Sequence, residues 1–207
     1  MKAFIELLQQ GGIVMYPLLL CSVVSLAIVI EKLITLRRKR VIVPEVQRVV
    51  SALTSAEDVS LAQTVCRQHS GPYAAIMQVG LQNHQMQATA LKEELANHGR
   101  RQVRSLERGL GVLETVAAVS PILGLLGTVV GMIKVFKIIS IQGVGEASAL
   151  SGGISEALIT TAAGLTVAIP ALVFYNYFSL KAENLVHEIE DHAGDLVRRL
   201  TSFSREQ

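Results

Sequence analysis

The sequence predicts an all-α membrane protein with three transmembrane helices, spans two and three being extended into the cytoplasm as long helices. Three observations carry that reading. Of the 207 residues, 50% are hydrophobic and 17% charged, a balance that belongs to membrane proteins rather than soluble domains. Three apolar runs are each long enough to cross a bilayer core, which takes about 20 residues. Arginines gather where the polar stretches meet those runs, as they do beside cytoplasmic span ends.

Residues 1–12 form the first element. The Phe4-Ile5-Leu7-Leu8 pattern resembles a short interfacial helix, and Gly11-Gly12 breaks it. Transmembrane helix 1 is expected over 13–36. A secretory signal could look similar, but Lys2 is the only basic residue before the run and no small-residue cleavage site follows it. Glu31-Lys32 leads instead into Arg37-Arg38-Lys39-Arg40, a stop-transfer pattern, so the segment reads as an uncleaved anchor. A cytoplasmic helical region is expected over 37–112, with its clearest breaks at Pro44 and at the Ser70-Gly71-Pro72 turn.

Transmembrane helix 2 is expected over 113–139, a periplasmic turn with Gly143 and Gly145 over 140–150, and transmembrane helix 3 over 151–180. From Ala88 to Ile139 only Pro121 interrupts a helical pattern. At 1.5 Å per residue that run would be roughly 75 Å long, so span two is expected to continue into the cytoplasm. A cytoplasmic C-terminal helix over 181–207 carries an apolar stripe of Leu185, Ile189, Leu196 and Leu200. Arg37 to Arg40, then Arg100, Arg101, Arg104 and Arg108, then Arg198, Arg199 and Arg205 place both large polar regions in the cytoplasm and the N-terminus outside. Lys134 and Lys137 stand at the opposite membrane edge, where snorkelling lets them reach headgroups.

The composition also excludes function classes. A net charge of +2 gives no electrostatic basis for nucleic-acid binding. Trp is absent, so Tyr16, Tyr175 and Tyr177 are the available aromatic interface anchors. Cys21 lies in a span and Cys66 in a polar region, which predicts neither a disulfide nor a redox motif. His187 and His192 are five apart and face different ways on a helix, and no metal-ligand spacing occurs. There is no nucleophile–base pair or phosphate loop, so neither an enzyme nor a cofactor is expected.

Chemistry concentrates in spans two and three. Glu156 is a lone carboxylate near the start of the third apolar run. An ionised group at membrane depth costs about 2.5 kcal/mol or more, and Leu would pack as well, so the residue is a candidate for an ion or proton path. The other reading is an interfacial carboxylate among headgroups, since Glu156 lies near the outer end. In span two, Gly124, Gly127, Thr128 and Gly131 follow i, i+3, i+4, i+7 spacing, and Gly127 with Gly131 makes a GxxxG. In span three, Gly153, Ala157, Thr161 and Ala168 share one face; Glu156, Thr160, Gly164 and Val167 share another. These small faces, with Gly153 and Gly164 in span three, suit close helix packing.

Counting outward from Gly145 puts the Thr128 and Thr161 hydroxyls at about one depth, with Glu156 roughly 7.5 Å further out. Hydroxyls beside a carboxylate can hold water or a partly stripped cation. Equally, each can bond back to a helix carbonyl. Pro121 and Pro170 remove one helix hydrogen bond each, as kinks or as tolerated breaks.

Two stretches resemble the MotA/TolQ/ExbB proton-channel family, and within it ExbB most. They are Ser120-Pro121-Ile122-Leu123-Gly124-Leu125-Leu126-Gly127-Thr128-Val129-Val130-Gly131-Met132, and Gly152 to Leu165 followed by Val167-Ala168-Ile169-Pro170-Ala171. Together they cover roughly a quarter of the chain, and the three-span layout with a large cytoplasmic insertion agrees. The resemblance implies a homopentamer in membrane lipid, enclosing a dimer of a single-span ExbD-like subunit with a membrane aspartate. It implies residence in a bacterial inner membrane and a proton-motive force spent on outer-membrane transport through a TonB-like protein. TolQ-like and MotA-like motor work, or a passive membrane scaffold, are the alternatives. Glu156 matches the family's membrane glutamate, and Thr128 and Thr161 match its two pore threonines. Two departures stand out: Val130 where many members carry Trp, and the cationic Lys134 and Lys137 at the outer mouth.

Overall fold

In a computed structural model, residues 10–55, 57–142 and 147–203 are described. The expected interfacial helix within 1–12 falls largely outside them, as does the centre of the expected turn at 143–146. Every regular element among the described residues is helical. In chain order these are α1 (Met15–Thr35), α2 (Arg38–Val41), α3 (Pro44–Ser51), α4 (Asp58–Gln68), α5 (Pro72–Gln82), α6 (Ala88–Glu107), α7 (Leu110–Gln142) and α8 (Ala147–Phe203). Three stretches are long and apolar enough to cross a membrane: Met15–Thr35, Leu110–Ile141 and Ser151–Phe203. The all-α, three-span fold class is thus what the chain adopts.

The described residues divide into two compact units. The first draws on Met1–Ile30 and Gly109–Tyr177, the second on Glu31–Arg108 and Phe178–Gln207. In the first, Val14, Met15 and Leu18 at the start of α1 are buried and pack with Leu123 of α7 and Ala163 of α8. Much apolar surface stays uncovered there, including Leu20, Leu26, Ile122, Leu125, Ile133, Phe136, Leu158 and Ile169. In water that surface would drive aggregation; against acyl chains or neighbouring helices it is neutral.

The second unit has an ordinary core. Pro44 and Pro72 each open a helix at its first turn, where the missing N–H is no loss. Gly71 has φ +139, a conformation open only to glycine, and turns the chain into α5. Val46, Val50, Ala62, Tyr73, Met77, Leu81 and Leu91 are buried together with Leu185, Ile189, Leu196 and Leu200 of α8. The stripe expected on the C-terminal helix is therefore the α8 side of a core. Tyr73 and His192 meet edge to face, with ring centroids 5.4 Å apart.

One expectation needs correction. The helical run from 88 to 139 is not continuous: α6 ends at Glu107 and α7 begins at Leu110. Gly109 takes φ +88, a left-handed conformation that terminates a helix. The end of α6 leaves carbonyls without helical partners. The ammonium of Lys32, only 3% exposed, donates to one of them, the Leu106 oxygen, at 2.9 Å.

Candidate functional site

Span-two glycines meet span-three residues along the contact of α7 with α8. A methyl group on Gly131 would lie 2.9 Å from the Gly153 oxygen and 3.0 Å from Ala157 Cβ. One on Gly127 would overlap the Thr160 side chain, and one on Gly124 would stand 3.1 Å from the Thr161 Cα. At Gly164 it would be 2.6 Å from the Ser120 oxygen, and at Gly153 2.5 Å from Val135 Cγ2. Backbones approach this closely only where side chains are absent, which is the logic of small-residue helix contacts. Pro121 and Pro170 both lie inside continuous helices, α7 and α8.

Hydroxyls line the same contact. Thr128, half-buried, donates to the Leu125 carbonyl of its own helix at 2.6 Å. Thr161 crosses instead to the Gly124 carbonyl of α7, at 3.2 Å. Each of the two is therefore held by a carbonyl, and neither contacts Glu156 in these bonds. Thr160 is 1% exposed and donates to the Glu156 and Ala157 carbonyls at 3.1 and 2.9 Å. Ser120 is fully buried, and its hydroxyl has no hydrogen-bond partner among the described residues. Sequence reasoning singled out neither Thr160 nor Ser120 for a role. Their spacing with Gly164 and Gly127 was visible, but not which residues face the helix contact.

Glu156 sits toward the end of this seam where α7 stops and α8 starts, with its side chain 17% exposed. Lys134 of α7 donates to its Oε1 at 2.5 Å. Gly12, at φ +67 in the turn that leads into α1, lies against the carboxylate: a Cβ there would overlap Oε1. Parts of three segments thus surround one carboxylate, and a lysine supplies the opposite charge. By sequence Gly12 is a helix breaker, and Lys134 a headgroup-seeking cation or an unusual charge at a pore mouth. Nothing in their spacing pairs either with residue 156, because the pairing depends on how α7 and α8 align.

The described residues hold no cluster of His, Cys, Asp and Glu suited to a metal ion. The model of the MotA/TolQ/ExbB proton channel family matches residues 68–191, more than half of the chain. The chain belongs to this family. Among MotA/TolQ/ExbB relatives, the biopolymer transport protein ExbB-like 1 of Synechocystis sp. is 36% identical over 183 residues, covering 85% of this chain and 71% of that protein. The biopolymer transport protein ExbB of Neisseria meningitidis is 31% identical over 197 residues, 88% of each chain. The Tol-Pal system protein TolQ of Haemophilus influenzae is 40% identical over 107 residues, 52% of this chain and 45% of its own. Membership of a proton-channel family, with three helices fit to span, makes this a multi-pass membrane protein of the ExbB/TolQ transport-energising kind.

Proposed function

We propose that the chain is the ExbB-like, proton-conducting subunit of a motor that draws on the proton-motive force to energise TonB-dependent outer-membrane transport, and that Glu156 carries the proton. The observation behind this is the enclosed carboxylate itself. Glu156 is the one acidic residue of Ser151 to Leu180, and its side chain is 17% exposed and paired with Lys134 of α7. Thr128 and Thr161 are assigned to water on the proton path near it.

The working assembly is a homopentamer whose lumen is lined by spans two and three. A dimer of a single-span ExbD-like subunit occupies the lumen, and a TonB-like protein takes up the motion. The exposed apolar residues of α7 and α8 supply the surface such an assembly would cover. The N-terminus is periplasmic and the C-terminus cytoplasmic in an inner (plasma) membrane, following the arginine clusters. Single cysteines placed at Ser105 and at Gly145 check the orientation: an impermeant thiol reagent added outside should label the second and spare the first, and the reverse pattern rejects it.

Glu156→Gln keeps size and polarity but cannot titrate. In the assembled complex it should abolish proton-driven activity while leaving assembly intact. Activity near the wild-type level would remove the proton carrier and favour a passive scaffold. A second reading, TolQ-like motor work, has support in the 40% identity to the Haemophilus influenzae protein over 107 residues. Co-purification of a TonB-like protein favours the first reading; a Tol-Pal partner favours the second.

A further inference from the structure

We propose that Lys134 is the positioning residue of the Glu156 site: an internal counter-ion that holds the carboxylate within its own subunit and must release it for each proton exchange. The inference rests on the proton-carrier reading of Glu156 and adds the residue that controls it. Three observations carry it. The ammonium and Oε1 stand 2.5 Å apart, in direct contact. Exposure is lopsided, 49% for the lysine side chain against 17% for the glutamate. The lysine can therefore swing out on its flexible stem, whereas the carboxylate stays where α8 and Gly12 confine it. Gly12 also closes the side of the carboxylate toward α1, so the lysine side is the one that opens.

The charges around the site are few. From Gln10 to Ile30 there is none, and from Ser151 to Leu180 Glu156 stands alone. On α7 the charged residues are Glu114, Lys134 and Lys137, and Lys137 lies three residues beyond Lys134 on an exposed face. Glu156 thus depends on Lys134 for its counter-charge among the described residues. The ammonium in contact with Oε1 covers that oxygen, and a side chain without the charge is not held there and leaves it open to a reagent. Since the pair is partly exposed, the lysine can leave without the full penalty of a buried broken pair.

The test reads the carboxyl group without relying on transport. A lipid-soluble carbodiimide adds to a protonated carboxyl in an apolar setting and leaves a stable acylurea, whose position and rate mass spectrometry reports. The intact complex in native membranes is compared across wild type, Lys134→Arg, Lys134→Met and Lys134→Gln at one neutral pH, with Glu156→Gln as the blank. Loss of the counter-ion should speed modification of Glu156 about fivefold, the ratio that a partly exposed pair supports. Lys134→Arg keeps the charge and should stay near wild type. Lys134→Met and Lys134→Gln should agree, since both remove the charge while one keeps polarity. Wild-type rates in both neutral variants overturn the proposal, and so does an arginine variant as fast as the methionine one. The outcome is independent of the Glu156→Gln activity result. A complex in which the lysine controls labelling but Glu156→Gln still transports would keep the counter-ion and lose the proton-carrier reading.

Discussion

Gly164→Ala adds a single methyl group where the backbones of α7 and α8 come close. That methyl would stand 2.6 Å from the Ser120 carbonyl oxygen, 3.1 Å from the Gly124 Cα and 3.2 Å from the Gly124 nitrogen. Comfortable carbon contacts lie at about 3.5–4.0 Å, so the two backbones must separate locally by about 1 Å. All three neighbours are backbone atoms inside a helix, and none can rotate away. Overpacking of this kind costs about 1–3 kcal/mol. Alanine also gains about 1 kcal/mol of helix propensity over glycine, which masks part of the loss. Gly111→Ala isolates the propensity gain, because a methyl there meets nothing within 4 Å. The difference between the two variants should therefore be about 1–3 kcal/mol. Reversible unfolding in mixed micelles, followed by helical circular dichroism as anionic detergent is titrated in, measures both. A difference below about 0.5 kcal/mol, the ordinary scatter of neutral substitutions, would show that α7 and α8 do not approach as described.

Other consequences lie in the second unit. Cys66 is 1% exposed, and burial pushes its thiol up to about 11 from the usual 9.0. Iodoacetamide should leave it unmodified at neutral pH until the protein is unfolded, and modification of the native protein would refute the buried placement. The same shift has a pH signature: the neutral thiol's contribution to stability is complete below pH 9.0 and is lost as pH rises through about 11, so Cys66→Ala should flatten the alkaline fall in stability. Glu188 has the opposite sign. Its hydrogen-bonded pairing with Arg38 holds its carboxyl below the usual 4.5, against a smaller opposing effect of burial. That stabilisation is present above pH 4.5 and disappears as pH falls through the lowered value, so Arg38→Met should reduce the acid sensitivity of unfolding while leaving stability at neutral pH nearly unchanged.

Much of this architecture is legible without coordinates. Apolar run length fixes the three spans because a bilayer offers no partner for an unbonded backbone, so any such run must be helical. Helical periodicity fixes the glycine face at 124, 127 and 131, since 3.6 residues per turn puts those positions on one stripe whatever lies opposite. An acidic residue in an apolar run marks itself by its cost, and Glu156 is conspicuous for that reason alone. The break at Gly109 was less legible: an isolated glycine is tolerated within a helix, and only the adopted φ of +88 shows that the helix stops there.

What the tertiary structure decided is which residues meet across elements. Contact between Lys134 and Glu156 spans 22 positions and depends on the offset at which α7 lies against α8. Gly12 reaches the same carboxylate from the other end of the chain. Spacing within a helix cannot encode either meeting, because the relative shift of two helices is set by the sum of side-chain contacts along their whole length. The same holds for Thr161, which bonds to Gly124 across the seam, while Thr128 bonds within its own helix. Local periodicity therefore determined the helices and the carboxylate among them. The packing of one helix on another determined its counter-ion and its cover.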